Sequence, residues 1–332
     1  MLIHEIDNIA LRFDRPTRLP AWVGTELRGM VKEHFKRWVC CHPELDGLSD
    51  DERTDDNCQA IALPECSTCP AELREECYYA LAFEPGAMNS DLRTGEEPAR
   101  PLVLAPAFPT PERFAAGDTL DFRVLLIGRA VEAVHPLLEA IAIAGWERGL
   151  GPTKSRVPVL LENLHLARHR QHRLDLASLP ARDDPQLGTV SRVCIELTSP
   201  LSLLQKKQPG RPLIAQPTCT DLVKASMSVV TGLAQWCGES CDIDKPSLLA
   251  AADRVPVIAY DVGRFQQTVR ARHGAQRVEF EALAGTARDA WGAGRLILSD
   301  VPRSLLPWLE WGGRLHVGNR RSAGAGSWRL LR

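Results

Sequence analysis

The sequence contains no apolar run approaching the roughly twenty residues needed to cross a bilayer, which excludes an α-helical membrane span within it. A secretory leader is also missing, because His4, Glu5 and Asp7 follow Met1 where an apolar segment would have to begin. The expected location is therefore cytoplasmic, with ten cysteines serving as reduced thiols or metal ligands rather than as a disulfide scaffold. Global basicity is absent as well. The formal net charge of −2 gives no overall attraction to nucleic acid, so any such role rests on local asymmetry.

Local asymmetry is present. Glu44 to Asp56 carries seven acids against the single Arg53, whereas Arg264 to Arg277 has four arginines and no acid. From Trp311 to Arg332 there is again no acid, but Arg314, Arg320, Arg321, Arg329 and Arg332 are all present. This terminal stretch reads as two strands, Arg314–Val317 and Ser327–Leu331, around a loop with Gly318, Gly324 and Gly326. Glycine permits positive φ and close backbone approach, and guanidinium groups beside exposed N–H groups suit a phosphate. A glycine-rich hairpin with ordinary solvated arginines fits the same residues. A dinucleotide fingerprint does not, since no helix and no ribose-binding acid follow.

With 332 residues the chain has room for two domains, and 44% hydrophobic with 25% charged residues is a globular composition. Leu2–Phe13 predicts a strand, and Ala21–Cys40 predicts a helix with Leu27, Met30, Val31, Phe35 and Trp38 at helical spacing. After an acidic insertion, strands are expected at 80–85, 102–108 and 119–128, a helix at 131–144 and a strand at 156–166. Strand, helix, two strands, helix, strand is the order of a ferredoxin-like unit. The polar segment 165–188 reads as a linker. A second unit follows, with a strand at 190–198, a helix at 222–236, strands near 264–271, 277–283 and 295–298, and a helix at 304–310. The expected domains are 1–175, with the insertion at about 42–80, and 186–332, with the glycine loop at about 312–328.

Inside the insertion, Cys58, Cys66, Cys69 and Cys77 have the spacing C-x7-C-x2-C-x7-C. A two-residue gap lets one turn of backbone offer two thiolates to one metal, and four thiolates suit a structural zinc. An iron–sulfur cluster uses the same ligands, and free packed thiols are the plain alternative. Cys40 and Cys41 stand by as substitutes for one ligand.

Several short motifs occur in a fixed order: Leu27-Arg28-Gly29; the cysteine insertion running into Cys77-Tyr78-Tyr79-Ala80-Leu81-Ala82-Phe83-Glu84-Pro85; and Arg100-Pro101-Leu102. Then come Gly117-Asp118 before Leu125-Leu126-Ile127-Gly128-Arg129, Ala144-Gly145 before Gly149-Leu150-Gly151, and Leu315-His316-Val317-Gly318 before Gly324-Ala325-Gly326. Together they resemble the CRISPR-associated RAMP superfamily, in its precursor crRNA-processing endoribonuclease branch with a cysteine-bearing insertion. The resemblance implies an α+β protein of tandem ferredoxin-like (RRM-type) domains that binds CRISPR repeat RNA. It further implies cleavage at a repeat hairpin without a catalytic metal, leaving a 2′,3′-cyclic phosphate and a 5′-hydroxyl. His34, in the first helix, is the expected proton-transfer residue, with Lys36 as a nearby cation. His34 also lies close to the apolar stripe, so a packed histidine is the competing reading. RNA contacts are expected from Arg28, Lys206, Lys207, Arg314, His316, Arg320, Arg321, Gly324 and Gly326. Some RAMP proteins hold guide RNA in effector complexes without cutting it, so other effector subunits are possible partners. A zinc-stabilised interaction module without RNA is the third reading.

Overall fold

A computed structural model describes residues 1–40, 66–85, 99–152, 155–205, 208–270, 277–285 and 294–332. The chain divides into two units, one of 1–19, 26–106 and 111–173, the other of 20–25, 107–110 and 174–332.

The first unit is built on β1 (Leu2–Phe13), the strand the sequence predicts. A bulge at Asp7–Asn8 shifts its register against β5 (Thr119–Ile127), and Asn8 accepts φ 61° there. A two-residue pair, β2 (Thr17–Arg18) and β4 (Arg113–Phe114), stands apart from the main sheet. With β3 (Leu102–Pro106) and β6 (Val159–Glu162), the antiparallel order is β3-β5-β1-β6. The helices α1 (Gly24–Val39) and α4 (Val134–Glu147) complete a βαββαβ unit. Ile3, Ile6, Ile9, Val31, Phe35, Leu137 and Ile141 are fully enclosed in its core.

Two expectations fail in this unit. Residues 80–85, expected as a strand, lie largely within the short helix α3 (Tyr78–Phe83), which follows α2 (Ala71–Glu76). Six buried and half-buried residues in a row are too few for a period to separate helix from strand. Part of the expected linker is β7 (Arg168–Arg173), paired antiparallel with the first half of β1.

The second unit repeats the topology. Its sheet runs β13-β8-β12-β9, from β8 (Thr189–Leu197), β9 (Val257–Asp261), β12 (Arg295–Pro302) and β13 (Trp328–Leu331). Its helices are α5 (Cys219–Trp236), opened by a Thr218–Asp221 capping box, α6 (Lys245–Asp253) and α7 (Leu306–Leu315). The strands expected near 264–283 form an inserted hairpin, β10 (Gly263–Arg270) and β11 (Arg277–Ala284). Sequence reading missed β9, whose mostly exposed residues lack an alternating pattern. The rest of the expected linker is tied into this unit: Trp308 donates its indole N–H to the Pro180 carbonyl at 3.0 Å, and Arg254 and Ser304 both bond Asp183. Among the described residues, no helix is long and apolar enough to cross a membrane.

Candidate functional site

The terminal stretch is not the expected hairpin. Arg314 and Leu315 end α7, and β13 pairs with β8 instead of with residues 314–317. The reason is visible in the backbone: His316 turns at φ 59°, and Val317 donates at 2.9 Å to the carbonyl of Gly326, which precedes the expected second strand. The loop between is folded inward. Gly326 N–H donates to the Pro200 carbonyl at 2.8 Å, and Asn319 N–H donates to the Ser202 carbonyl at 2.9 Å. Gly318 and Gly326 sit at φ 78° and 84°, and a Cβ would lie 2.3 Å from the Ser202 oxygen or 1.8 Å from the Val317 oxygen. Their lack of a side chain is therefore a packing requirement. Ala323 and Ala325 join Trp22, Phe265, Phe280 and Ala282 in a buried cluster, with Trp22 stacked on Phe280 at 4.6 Å between centroids.

This geometry divides the residues expected on RNA. His316 is 1% exposed, and its Nδ1 lies 3.2 Å from the Ala325 carbonyl, so that nitrogen carries the proton. Arg321 is buried, its Nε donating to the Leu315 and His316 carbonyls at 2.7 and 3.0 Å. It holds the loop from inside. Gly324 is buried at φ 84°, while Gly318 and Asn319 are exposed and Arg320 is half-buried. The outer tip of the loop is thus Gly318–Arg320. Arg314 lies over the ring of Trp311 at 4.7 Å. Lys206 and Lys207 lie outside the described residues.

The helix α1 presents two separate chemical faces. Arg28, Lys32 and Lys36 follow one another at four-residue spacing, which aligns them on one side. Arg28 lies 5.2 Å from the Phe83 centroid, Lys32 5.9 Å and Lys36 5.2 Å from that of Tyr79. Lys32 donates to Glu84 at 2.7 Å. Burial pushes the Glu84 carboxyl upward, but the Lys32 hydrogen bond and the charges of Lys32, Arg100 and Arg28 outweigh it and hold the group below its ordinary range. Burial, then the Glu84 charge, pushes the Tyr79 phenol up. Neither Tyr79 nor Glu84 was singled out from sequence as a partner of α1. The alternation of cations at i, i+4 and i+8 was the available signal.

His34 lies on the other side of α1. It is 4% exposed, and Nδ1 is 3.2 Å from Glu147 Oε2 at the end of α4. Arg148 pairs with Glu33 beside it. Burial, then the charges of Arg148 and Arg37, lowers the His34 pKa. The imidazole is therefore neutral near pH 7. Since a carboxylate accepts only, Nδ1 is the protonated nitrogen and Nε2 keeps its lone pair. Nε2 is buried without a hydrogen-bond partner among the described residues. His34 and Lys36 are not brought together.

Of the metal candidates, Cys66–Thr68 forms a single turn closed by Cys69 N–H on the Cys66 carbonyl, and Cys77 precedes α3. Burial raises the Cys66 thiol to about 11, Lys36 opposes this, and Cys77, Glu84 and Cys69 add to it. The three sulfurs therefore share one electrostatic neighbourhood. Among the described residues no three His, Cys, Asp or Glu side chains converge closely enough to hold an ion, and Cys58 and Cys41 lie outside them. Cys40 is buried at the end of α1.

Two βαββαβ units in one chain, each with antiparallel sheets in the same order, define a tandem ferredoxin-like protein. A family model described as AF_1859_N, an N-terminal domain, matches residues 4–181, more than half of the chain. The chain belongs to this family, and its fold is similar to that of solved Cas6 proteins. A Cas6 product complex aligns over 100% of both chains with 15% identity and a TM-score of 0.52. A chain of a partial Cas6-RT-Cas1–Cas2 complex aligns with 99% of this chain at 14% identity and a TM-score of 0.51. This chain spans 46% of that one. At such identities the likeness is one of fold. No curated protein matches the sequence.

Proposed function

We propose that the protein binds CRISPR repeat RNA and cuts it at the base of a repeat hairpin by metal-independent transesterification. The observation that supports this reading best is the alignment of the whole chain with a Cas6 product complex over that chain's whole length. In this chemistry the 2′-hydroxyl gives up its proton and its oxygen attacks the adjacent phosphorus. The 5′-oxygen leaves and takes a proton, so the products are a 2′,3′-cyclic phosphate and a 5′-hydroxyl. A base, an acid and a cation near the crowded phosphate are required. His34 is the group proposed for proton transfer, with Glu147 as the residue that positions it. Arg320, at the outer tip of the glycine loop, is proposed to meet phosphate. The test is single-turnover cleavage of the cognate repeat RNA in excess chelator. Cleavage at one site with a cyclic-phosphate end is the expected result, and dependence on added divalent metal overturns it.

A second reading is favoured by one observation: both histidine candidates are enclosed, His34 at 4% and His316 at 1% exposure. On this reading the protein holds guide RNA within an assembly of other effector subunits and does not cut it. Tight binding with no cleavage in the same assay selects it.

The four-cysteine set is proposed as a structural zinc site, with Cys58 as the fourth ligand. Elemental analysis of protein purified without chelator is expected to give about one zinc per chain. Replacing Cys66 and Cys69 by serine should remove the metal. Iron in place of zinc, with a visible charge-transfer absorbance, points to a cluster. A folded, metal-free preparation rules out both.

A further inference from the structure

We infer that β7 is a second nucleic-acid contact, one that takes the phosphate backbone of a single-stranded stretch of RNA. The inference rests on the RNA-binding reading above and deepens it by adding a strand that reading does not use. From Asn163 to Leu174 the chain has three arginines, three histidines and no acid, in a protein whose net charge is −2. The strand itself reads Arg-His-Arg-Gln-His-Arg, and every residue is exposed except the half-buried His172.

Topology explains why this polar strand exists at all. It pairs with β1 alone, so β1 supplies the ladder and the far edge of β7 has no second strand among the described residues. Its side chains alternate between two faces, recurring about every 6.6 Å on each. On one face lie Arg168, Arg170 and His172, and there Arg170 approaches Asp7 at 3.5 Å and His172 approaches Glu5 at 3.4 Å. Glu5 also pairs with Arg123 at 3.0 Å. On the other, His169 Nδ1 meets His4 Nε2 at 3.1 Å, and Arg173 stands opposite the exposed Leu2. The carboxylates of β1 thus pin the middle of the strand. At the two ends, Arg168 stands opposite Asp7, on which its charge acts without a close ion pair, and Arg173 makes no ion pair among the described residues.

A protective role competes with this one, since charged edges deter strand-to-strand aggregation. Two features favour a ligand. The cations are arginines, whose planar fork suits phosphate, and none is a lysine. The exposed Leu164 (44%) and Leu166 (57%) lie just ahead of the strand, giving apolar contact beside the cations. An edge without a second strand among the described residues, with forked cations and exposed apolar side chains beside it, suits a flexible single strand better than a rigid duplex.

The experiment is equilibrium binding of repeat RNA, carrying its single-stranded flank, to wild type and to an Arg168→Ala/Arg173→Ala variant at two salt concentrations. The expected result is an affinity loss of about tenfold and a salt slope shallower by about 1.4, near 0.7 per lost single-strand phosphate contact. A companion Arg168→Lys/Arg173→Lys variant should keep the slope, and an unchanged thermal midpoint shows that the edge still folds. Wild-type affinity and slope in the alanine variant overturn the inference while leaving the RNA reading intact, as does a variant that only self-associates. Failure of the wild type to bind RNA overturns both. Binding of poly-glutamate through β7 as tightly as RNA overturns it in favour of an acidic protein partner.

Discussion

Replacing Gly326 by alanine is expected to lower the thermal midpoint by about 6–12 °C. The new Cβ would stand 1.8 Å from the Val317 oxygen and 2.8 Å from its carbonyl carbon, with φ held at 84°. These are backbone atoms, and a rotamer change cannot relieve the clash. The same Val317 donates its N–H to the Gly326 carbonyl, while Gly326 N–H is fixed on Pro200, so each escape breaks a hydrogen bond. A left-handed non-glycine residue costs about 1–2 kcal/mol, and forcing an atom into a packed site costs about 1–3 kcal/mol more. Taking about 3 kcal/mol and roughly 2–4 °C per kcal/mol for a domain of this size gives the stated range. Gly238→Ala is the control, because Gly238, just after α5, has φ 73° but no atom within 4 Å of a Cβ. It carries only the conformational cost of about 1–2 kcal/mol, so a smaller shift of about 2–8 °C is expected. Calorimetry on both variants decides the matter. Equal shifts would mean that φ alone, and not the packing of the loop against Val317, requires glycine at 326.

The same loop shows what sequence can and cannot convey. Glycine spacing and the missing acids marked residues 312–328 as unusual, and the structure uses those glycines for close backbone approach. What the residues did not disclose is direction. The helix expected to end at 310 runs on as α7 through Gly312 and Gly313 to Leu315, because these glycines let it pack closely on Ser226 and Trp328, which outweighs their poor propensity. β7 was hidden for the opposite reason. A strand of arginine and histidine has no hydrophobic alternation, and its existence depends on a free edge of β1 more than 160 residues away in the chain. Strands rich in buried apolar residues, such as β1, β5, β8 and β12, carried their own signal and were legible to within a few residues. On the candidate site, His34 was visible as a histidine beside an apolar stripe, but Glu147 was not visible as its partner. Nothing local links two residues that meet only when α1 and α4 pack on one sheet.

His34→Ala is expected to slow single-turnover cleavage by about a hundredfold or more while leaving RNA affinity near wild type. The argument starts from the charge state. Burial and the neighbouring Arg148 and Arg37 lower the folded pKa below the ordinary imidazole value of about 6.5. The unfolded chain therefore takes up the proton first as pH falls, so the stability contributed by neutral His34 is present above about pH 6.5 and is lost below it. Two consequences can be measured on one preparation. The acid limb of the rate profile should lie below the range of an exposed histidine, since the base form with its Nε2 lone pair survives to lower pH. The fall in thermal midpoint between pH 7 and pH 5 should be smaller in His34→Ala than in wild type. The alanine variant should also melt earlier at pH 7, because an enclosed ring is removed and the Glu147 carboxylate loses its Nδ1 partner. A buried histidine with no chemical role makes a different prediction: affinity, rate and midpoint fall together, and a variant stabilised elsewhere recovers the rate. Glu147→Gln separates the two further, because the amide oxygen still accepts from Nδ1 but carries no charge to favour a protonated ring. It should preserve affinity and move the acid limb of the rate to lower pH. A stable His34→Ala protein that cuts at the wild-type rate removes His34 from the chemistry, whatever its effect on the melt.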